Sequence, residues 1–377
     1  MTQASQQVNL GKLRILVAPL DWGLGHATRC IPIIQELIRQ NCEVTLAGEG
    51  AQEILLKKEF PSLAFLSLPG YRIRYAGTSR NMLWKMIKQI PGIQNAIEFE
   101  NNWLKKKVKE LGFDAIISDN RYGLYHKKVP CVFISHQLLI KSPWKWTEKI
   151  LQMQHYRFIN RFTECWVPDL EGTINLAGDL SHPHKKPKPP LQYIGHLSRF
   201  INTGTAEKKN HLLIILSGPE PQRSIFENII INQVSRYNGS ATILRGLPAS
   251  VSFIPSTDSI HFYNHLPAEE LNQEMEKAAF VIARSGYSTV MDAKALKKKC
   301  IFIPTQGQTE QEYLAGNLFK KQFSFSALQR KFSLDSALEE AGKFSYLFPE
   351  IDMENRLQKN ITRFLSTCQV NFQGKYE

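Results

Sequence analysis

The chain has 377 residues, of which 43% are hydrophobic and 21% charged, so it can bury the cores of two and possibly three globular domains. Its net charge of +13 favours anionic partners such as phosphorylated substrates or lipid head groups, whereas the lack of zinc-finger, RRM or base-reading motifs argues against nucleic acid. The sequence contains no apolar run of membrane-spanning length, no signal-peptide pattern and no metal-type spacing among its six cysteines, so we expect a cytoplasmic protein with free thiols.

Short apolar runs predict strands along the whole chain, with helical patterns between them. The first series reads LRILVAP, CEVTLAG, AFLSLP, DAIISD, CVFISH and ECWVPD. The second reads HLLIILSG, ATILRG, IHFYNHLP, AFVIARSG and CIFIPT, and a segment rich in proline and lysine, residues 179–192, separates the two. Apolar strands that alternate with helices predict parallel sheets covered on both faces. We therefore predict an α/β fold of two doubly wound Rossmann-like domains facing across a cleft, residues 1–192 and 193–366, with a loosely held tail at 367–377.

A glycine-lined turn, LDWGLGHATR, follows the first predicted strand. Gly23 and Gly25 thin this turn, Asp21 precedes them, and His26 stands where the next helical pattern begins. Ligands of doubly wound domains bind beyond the carboxyl ends of the strands, which is where this turn lies. His26 therefore has two interpretations, a functional residue or a cap of the first helix.

In the second series, the strand FVIA is followed by a glycine turn and by hydroxyl side chains that open a helix. Free N–H groups at a helix start suit a phosphate, and a glycine lets the backbone approach it closely. A carboxylate one turn into the helix suits a ribose diol, and an arginine adds a charge-assisted contact. The alternative is ordinary helix capping. The candidate ligand-binding residues here are Arg284, Ser285, Gly286, Ser288, Thr289 and Asp292.

Two further strands of the second series end in polar loops. The loop after IFIP is rich in amides and carboxylates, which suit sugar hydroxyls but would also form a solvated helix start. These residues are Gln308, Glu310, Gln311 and Glu312. The strand HLLIILSG leads into Gly218 and Arg223, a third turn suited to an anion. Three such loops in one domain predict a site for a phosphorylated sugar.

The segments RSGYSTVMD and PTQGQTEQEYLA together resemble the donor site of family 28 glycosyltransferases, which include the MurG-type N-acetylglucosaminyltransferases. The opening GLGHATR resembles the glycine-rich loop of the same family, and the two-domain layout is similar to the GT-B fold. The resemblance extends over most of the chain but is specific only in residues 13–40 and 280–317. It implies a UDP-sugar bound by the second domain, with no further cofactor and no bound metal.

The resemblance also implies roles for individual donor-side residues. The serine–glycine turn at 285–286 and Thr289 would lie by the donor diphosphate. Asp292 stands where the family has a glutamate on the ribose, and Gln311 and Glu312 stand where it has a pair of glutamines that reads the donor sugar. Because the second position of that pair differs, the resemblance supports a UDP-sugar and leaves N-acetylglucosamine as one candidate.

In a GT-B arrangement the first domain takes the acceptor, and its first turn faces the anomeric carbon of the donor. His26 is then the candidate base for an attacking hydroxyl, or else a phosphate ligand. Asp21 is an alternative base or a residue that fixes the imidazole tautomer, and Asp119, at the end of the strand AIISD, is a further alternative base. The loop VFISHQLLI resembles a histidine-containing acceptor loop of the family, although ordinary polar loop residues are the alternative. The acceptor-binding candidates are Gly23, Gly25, His136 and Gln137.

Two segments of the first domain combine basic and aromatic residues. Residues 71–92 interleave arginines and lysines with aromatic and aliphatic side chains, and residues 142–149 contain two tryptophans and two lysines. Such segments suit an anionic membrane surface, with an amphipathic helix packed on its own domain as the alternative. Together with the resemblance, they predict a lipid-linked acceptor and peripheral contact with the inner face of the membrane.

The leading hypothesis is thus an inverting, metal-independent glycosyltransferase that moves a sugar from a UDP-sugar to a hydroxyl. A second hypothesis is a UDP-sugar hydrolase, because GLGHATRC also resembles the start of the hydrolase used in pseudaminic acid synthesis. A third is a non-catalytic subunit that binds nucleotide sugars.

Overall fold

The computed structural model describes residues 12–71, 82–142, 144–248, 250–349 and 355–373, without the side chains of 82–90 and 370–373. Most of the predicted basic and aromatic segment at 71–92 therefore lies outside the described side chains. Within the described residues the strands form two separate sheets, and in both all the pairs are parallel.

The first sheet has seven strands in the order β3-β2-β1-β4-β5-β6-β7. Its strands are β1 Arg14–Pro19, β2 Glu43–Gly48, β3 Ala64–Ser67, β4 Ala115–Asp119, β5 Cys131–Ile134, β6 Glu164–Val167 and β7 Leu191–Tyr193. The helices between them are α1 Leu24–Arg39, α2 Gly50–Glu59, α3 Met82–Leu111 and α4 Lys145–Ile159. β1 lies at the centre, and its residues 15–18 are fully buried because both faces are covered.

The second sheet has six strands in the order β10-β9-β8-β11-β12-β13. Its strands are β8 Lys208–Ile215, β9 Ser240–Leu244, β10 Ile260–Tyr263, β11 Ala278–Ala283, β12 Cys300–Phe302 and β13 Phe325–Ser326. The helices of this part are α5 Gln222–Val234, α6 Ala268–Lys277, α7 Tyr287–Ala295, α8 Thr309–Lys320, α9 Leu334–Lys343 and α10 Arg356–Gln373. The predicted strand series and its parallel arrangement are therefore found in both sheets.

The chain passes from the first sheet to the second after the proline-rich segment, and not within it. That segment leads into β7, which is an edge strand paired only with β6, a position that tolerates preceding prolines. The predicted boundary between residues 192 and 193 falls inside β7, and residues 194–207 carry the chain to the second sheet.

The C-terminal helix α10 returns to the first domain. The ring of Phe364 packs edge-on against Trp166 in β6, with 5.5 Å between ring centroids, and Arg363 forms an ion pair of 2.7 Å with Glu164. Cys368 is buried, so the predicted loose tail differs from the structure, in which α10 continues to residue 373. An amphipathic helix of this length is held by the apolar face that it buries.

Candidate functional site

The central site lies where the strand order of the first sheet reverses, between β1 and β4. Pro19 at the end of β1 is paired with Asp119 at the end of β4, and the N–H of Leu20 donates to the carbonyl of Asp119 at 2.9 Å. Helix α1 begins a few residues after β1, which places His26 in its first turn. Two residues far apart in sequence are thereby brought to the same strand ends.

His26, Asp119 and Arg29 form a tight cluster at this point. Nδ1 of His26 is 3.0 Å from Oδ1 of Asp119 and 2.8 Å from a terminal nitrogen of Arg29. Nε of Arg29 donates to Oδ2 of Asp119 at 2.6 Å, and a second, very short bond links the guanidinium to Oδ1. Asp119 is fully buried, whereas 14% of the His26 side chain is exposed, so only the histidine can meet a ligand.

Burial and the charges of this cluster together favour a neutral His26, and the charges favour an ionised Asp119. Burial and then the charge of Arg29 lower the pKa of His26, and together they outweigh the opposing effect of Asp119. Burial would raise the pKa of Asp119, but Arg29 and His26 outweigh it and hold that pKa well below its usual range. A neutral imidazole beside a permanent carboxylate is the arrangement that a general base requires.

The cluster continues into the second domain through His136. Nδ1 of His136 is 3.2 Å from Arg29, and its Nε2 is 2.8 Å from Oε1 of Glu310 in the first turn of α8. The imidazole also stacks on the ring of Tyr287 in α7, with 4.1 Å between centroids. The hydroxyl of Tyr287 donates to the carbonyl of Pro168, which is a second bond between the domains.

The glycine turn makes a direct main-chain contact with α7. Oγ of Ser288 donates to the carbonyl oxygen of Gly25 at 2.9 Å. A Cβ atom at Gly25 would lie 2.8 Å from the same Oγ, whereas a Cβ at Gly23, which has φ +78°, would meet nothing within 4 Å. A side chain at Gly25 would therefore displace the Ser288 hydroxyl from this hydrogen bond, and Gly23 is required for the backbone conformation of the turn.

The turn before α7 offers its backbone to the cleft. A Cβ atom built at Gly286 would meet no atom within 4 Å, so the main chain is open there. Ser285 is buried and its hydroxyl donates to the carbonyl of Gln311 at 2.8 Å, which ties this turn to α8. Thr289 is half-buried in the first turn of α7. The predicted donor loop therefore combines a braced serine with an accessible glycine.

The loop before α8 is shaped by its own side chains. Oε1 of Gln311 accepts a hydrogen bond from the N–H of Thr305 at 2.8 Å, and its amide nitrogen donates to Gln308. Oε1 of Glu312 accepts from the N–H of Gly307 at 2.9 Å. Gln308, Gln311 and Glu312 thus brace the loop that was predicted to read a sugar.

The two arginines predicted to contact an anion, Arg223 and Arg284, make their bonds inside the second domain. Arg223 bonds to Glu220 at 2.6 Å and to Glu227 at 3.1 Å, so its charge is already neutralised. Arg284 donates to the carbonyls of Ile303 and Gln222, both at 3.0 Å. Burial lowers the pKa of Arg284 to about 10.

Arg284 has one nitrogen without a partner, and that atom points to the turn at Gly218. Nε of Arg284 and Oγ1 of Thr305 are both buried without a hydrogen bond in the described structure. A Cβ at Gly218 would lie 3.3 Å from Oγ1 of Thr305 and 4.0 Å from Nε of Arg284. The three residues therefore meet at one position, and a side chain at Gly218, which has φ +102°, would lie against both atoms.

Asp292 lies on α7 next to the connection between the domains. Its Oδ1 accepts a hydrogen bond of 2.7 Å from Oγ of Ser198. Burial raises the pKa of Asp292 to about 6, against the opposing effects of Ser198 and Arg199. A carboxylate that is costly to bury and has one partner is able to accept further donors such as ribose hydroxyls.

Several predicted residues have other surroundings than expected. Oδ1 of Asp21 accepts from the N–H of Tyr71 at 3.1 Å, and Asp119 rather than Asp21 lies against the imidazole of His26. The carbonyl of Gln137 lies 2.9 Å from Nε2 of His155, and its side chain is half-buried.

Sequence reasoning missed Arg29 and Tyr287 and interpreted Glu310 only as a possible sugar ligand. Arg29 follows His26 by three positions in GLGHATR, a spacing that places both on one face of α1. The spacing of three positions was therefore the signal in the sequence that could have identified Arg29.

The model of the family described as glycosyl transferase family 1 matches residues 13–338. The chain belongs to this family. Two curated relatives, each named uncharacterized glycosyltransferase, are similar along most of their length. The one from Methanosarcina mazei is 22% identical and covers 95% of this chain and 96% of its own, and one from Methanosarcina acetivorans is 21% identical and covers 80% and 82%.

Solved glycosyltransferase structures share the fold at low sequence identity. The glycosyltransferase of kitacinnamycin has a TM-score of 0.61 at 12% identity and covers 92% of this chain and 94% of its own. The spinosyn rhamnosyltransferase SpnG complexed with thymidine diphosphate has a TM-score of 0.54 at 14% identity, covering 96% and 95%. MurG of Acinetobacter baumannii has a TM-score of 0.51 at 12% identity, covering 88% and 90%.

These likenesses confirm the predicted GT-B fold of the glycosyltransferase, with two Rossmann-like domains. The resemblance to family 28 is confirmed at the level of GT-B glycosyltransferases. Among the described residues, no helix is both long and apolar enough to cross a membrane. Nor do those residues include a group of three or more His, Cys, Asp or Glu side chains arranged to hold a metal ion.

Proposed function

We propose that this glycosyltransferase transfers a sugar from a UDP-sugar to a hydroxyl acceptor with inversion at the anomeric carbon, and without a metal ion. The observation that carries the proposal is the pair formed by His26 and Asp119, 3.0 Å apart, at the wall of the first domain that touches the N-terminal ends of α7 and α8. A base on one domain then faces a diphosphate-suited loop on the other.

His26 is the proposed general base and Asp119 its positioning partner. When Nδ1–H of His26 donates to Asp119, Nε2 carries the lone pair that accepts the proton of the acceptor hydroxyl. The hydroxyl oxygen forms a bond to the anomeric carbon from one side while the bond from that carbon to the diphosphate oxygen breaks on the other. The bonding electrons leave with UDP, and a single displacement inverts the configuration.

The second domain is proposed to stabilise the leaving diphosphate. The first N–H groups of α7 carry the positive end of the helix dipole, and the open backbone at Gly286 lets a phosphate approach them. The unpartnered Nε of Arg284 and hydroxyl of Thr305, beside Gly218, add two buried polar groups at the neighbouring strand end. Arg223 contributes less, because Glu220 and Glu227 already neutralise it.

A lipid-linked acceptor at the cytoplasmic face of a membrane is the proposed second substrate. Helix α4 exposes Trp146, Ile150 and Met153, with 61%, 49% and 64% of their surfaces open to solvent. Their spacing places them on one side of the helix, and Lys145 and Lys149 lie beside them. An exposed apolar stripe flanked by cations suits an anionic interface. A MurG-type reaction with N-acetylglucosamine as the transferred sugar is the specific form of this proposal.

The test is incubation of the purified full-length protein with a panel of UDP-sugars, with and without bacterial and archaeal lipid extracts, followed by mass spectrometry. We expect a new glycosylated lipid only when both substrates are present. Release of free sugar at the same rate without lipid would show that the protein is a hydrolase rather than a transferase. UDP binding by calorimetry without any turnover would favour a non-catalytic subunit, and no UDP binding would overturn the donor assignment.

A further inference from the structure

One nitrogen of His26 faces two groups that make opposite demands on it. Ionised Asp119, whose Oδ1 is 3.0 Å from Nδ1, can only accept a hydrogen bond and therefore requires a proton on Nδ1. Arg29, whose terminal nitrogen is 2.8 Å from the same Nδ1, can only donate and therefore requires the lone pair there. A neutral imidazole carries one ring proton, so it cannot satisfy both groups at once.

The two choices differ in what Nε2 can do. With the proton on Nδ1 and directed at Asp119, Nε2 holds a lone pair and can accept the proton of a substrate. With Nδ1 accepting from Arg29, the proton is on Nε2, and the exposed side of the ring is not basic. The position of Arg29 therefore selects between a competent and an incompetent form of the same histidine.

Arg29 is held from the second domain as well as from the first. Its other terminal nitrogen lies 3.2 Å from Nδ1 of His136, whose Nε2 lies 2.8 Å from Glu310. A neutral His136 satisfies both contacts, because Nδ1 accepts from Arg29 while Nε2–H donates to the carboxylate. Burial opposes ionisation of Glu310, but His136 and the more distant charge of Arg29 outweigh it and lower the pKa of Glu310, which favours the charged carboxylate.

Glu310 is therefore linked to the guanidinium of Arg29 through His136. Tyr287 holds the His136 ring in this orientation by stacking on it at 4.1 Å. Both Glu310 and Tyr287 lie in the first turns of the helices that carry the proposed donor site.

We propose that Arg29 is a positioning residue that sets which ring nitrogen of His26 is protonated, and that Glu310 acts on it through His136 when the domains are in contact. This proposal rests on the role of His26 as the general base. Contact with the second domain favours the proton on Nδ1, and its loss lets Arg29 hold Nδ1 instead. The base is thereby made competent only when the donor-bearing domain is docked.

The test reads the ring nitrogens directly, without substrate and without turnover. Full-length protein labelled with ¹⁵N-histidine gives long-range ¹H–¹⁵N spectra that distinguish protonated from unprotonated ring nitrogens, and His26→Gln identifies the His26 signals. The charged and titratable groups around His26 are Arg29, Asp119, His136 and Glu310. Glu310→Ala is the central variant because it leaves the Arg29–Asp119 pair intact and the buried charges balanced.

We expect Glu310→Ala to raise the ratio of the Nε2–H form to the Nδ1–H form of His26 by roughly fivefold, the size of a typical coupling between contacting groups. Arg29→Met should change the ratio in the opposite direction. The double variant should match Arg29→Met alone, since Glu310 acts through Arg29. If Arg29→Met fails to fold, Arg29→Lys keeps the charge without the planar fork and should show a smaller change of the same sign.

The matched control is Glu339→Ala, which removes an exposed carboxylate paired with Lys343 in α9 of the same domain and should leave the His26 signals unchanged. Identical His26 spectra in wild type and Glu310→Ala would overturn the proposal. So would equal effects of Glu310→Ala with and without Arg29, because Glu310 would then act by another route. A protein that transfers no sugar but shows these spectra would refute the proposed function and the role of His26 as its base, while the control of the His26 tautomer by Arg29 and Glu310 would stand.

Discussion

The hydroxyl of Ser288 in α7 donates a hydrogen bond to the carbonyl oxygen of Gly25 in α1, at 2.9 Å. This bond joins the turn that carries His26 to the helix proposed to hold the donor diphosphate. Since Gly25 has no side chain, the hydroxyl of Ser288 can approach the main chain of α1 closely enough for this hydrogen bond. The gap between the proposed base and the leaving group is therefore fixed by a contact that tolerates little extra volume.

Gly25→Ala should break the contact between Gly25 and Ser288 that joins the domains. The added methyl group would lie 2.8 Å from Oγ of Ser288, closer than a Cβ atom can stand, so the serine or the whole helix must move. We expect kcat/KM to fall by about ten- to a hundredfold, as misplacement of reacting groups commonly does. Steady-state kinetics with the UDP-sugar identified as donor would measure it. Adding Ser288→Ala removes the clashing oxygen and should recover part of the loss, and wild-type activity in Gly25→Ala alone would contradict the argument.

His26→Ala should abolish turnover without weakening nucleotide binding. Loss of a general base typically lowers kcat by about 10²- to 10⁴-fold. The proposed UDP contacts lie in the second domain, so calorimetry should give an affinity for UDP within about twofold of wild type. His184→Ala, at an exposed histidine of the first domain, is the matched control and should keep full activity. A His26→Ala protein that retains kcat would assign the base to another residue.

Asp292→Asn should stabilise the protein at alkaline pH. Burial raises the pKa of Asp292 to about 6, above the value of an unfolded aspartate, so the folded state favours the neutral carboxyl. The stability that this contributes is complete below the unfolded pKa of about 4, declines as the pH rises, and is lost once the pH has passed about 6. Asparagine cannot ionise, so Tm should rise relative to wild type at pH 8, rise less at pH 5, and be little changed below about pH 4, where aspartate is neutral in both the folded and the unfolded state. Asp335→Asn, at an exposed residue in the first turn of α9, should show no such pH dependence.

The same substitution should weaken nucleotide binding, and mainly at alkaline pH. An ionised Asp292 accepts hydrogen bonds from a ribose more strongly than an amide does, by about 1.5–3 kcal/mol for a charged acceptor. We therefore expect Asp292→Asn to raise the Kd for UDP roughly tenfold at pH 8 and much less at pH 5, where the wild-type carboxyl is already neutral. Calorimetry at both pH values tests this, and an equal loss at both would show that charge is not involved.

The positions of the longer strands along the chain could be predicted because their apolar runs are continuous. LRILVAP became β1, with residues 15–18 fully buried, and each later run of the two series contains a strand of the predicted sheet. β13 was missed because it has only two residues, and β7 because it has three and follows prolines. Such short edge strands are specified by their neighbours rather than by a pattern of their own.

The location of the site could be predicted from the sequence, but the contacts between its residues could not. His26 and Asp119 each end a motif that sequence reasoning selected, yet Arg29 binds residues 90 and 107 positions away, Asp119 and His136, which no local pattern links to it. Arg223 is the opposite case, a residue that was selected from the sequence because its position after a strand suggested a phosphate contact. A nearly buried guanidinium must satisfy its donors, and Glu220 and Glu227 do so within the domain.

Phe364→Ala should destabilise the first domain although the residue is near the C-terminus. Phe364 is almost fully buried and packs on Trp166, so its removal leaves a cavity between α10 and β6. We expect the free energy of unfolding in urea to fall by about 3–5 kcal/mol, as for other buried phenylalanines. Ser366→Ala, on the exposed side of the same helix, should change it by less than about 0.5 kcal/mol. Equal stability of the two variants would mean that α10 does not pack on the first domain.

Trp146→Ser should weaken binding to anionic vesicles. Trp146 is 61% exposed at the start of α4, where burying an indole in the headgroup region would add apolar contact to the attraction between lysines and anionic lipid. We expect cosedimentation with phosphatidylglycerol vesicles to require roughly tenfold more lipid for the variant than for wild type. Phe253→Ser is the matched control, since Phe253 is 81% exposed but lies in the second domain, and it should bind like wild type.

The lysines beside this stripe, rather than its apolar side chains, should determine the preference for anionic lipid. Lys149→Gln removes one charge, so we expect it to weaken binding to phosphatidylglycerol about fivefold at low salt and to have little effect on phosphatidylcholine. Raising the ionic strength should reduce the difference between wild type and Lys149→Gln, because salt screens the lysine but not the indole. If Trp146→Ser and Phe253→Ser lowered vesicle binding equally, α4 would have no special contact with the membrane, and the proposed lipid-linked acceptor would lose its structural support.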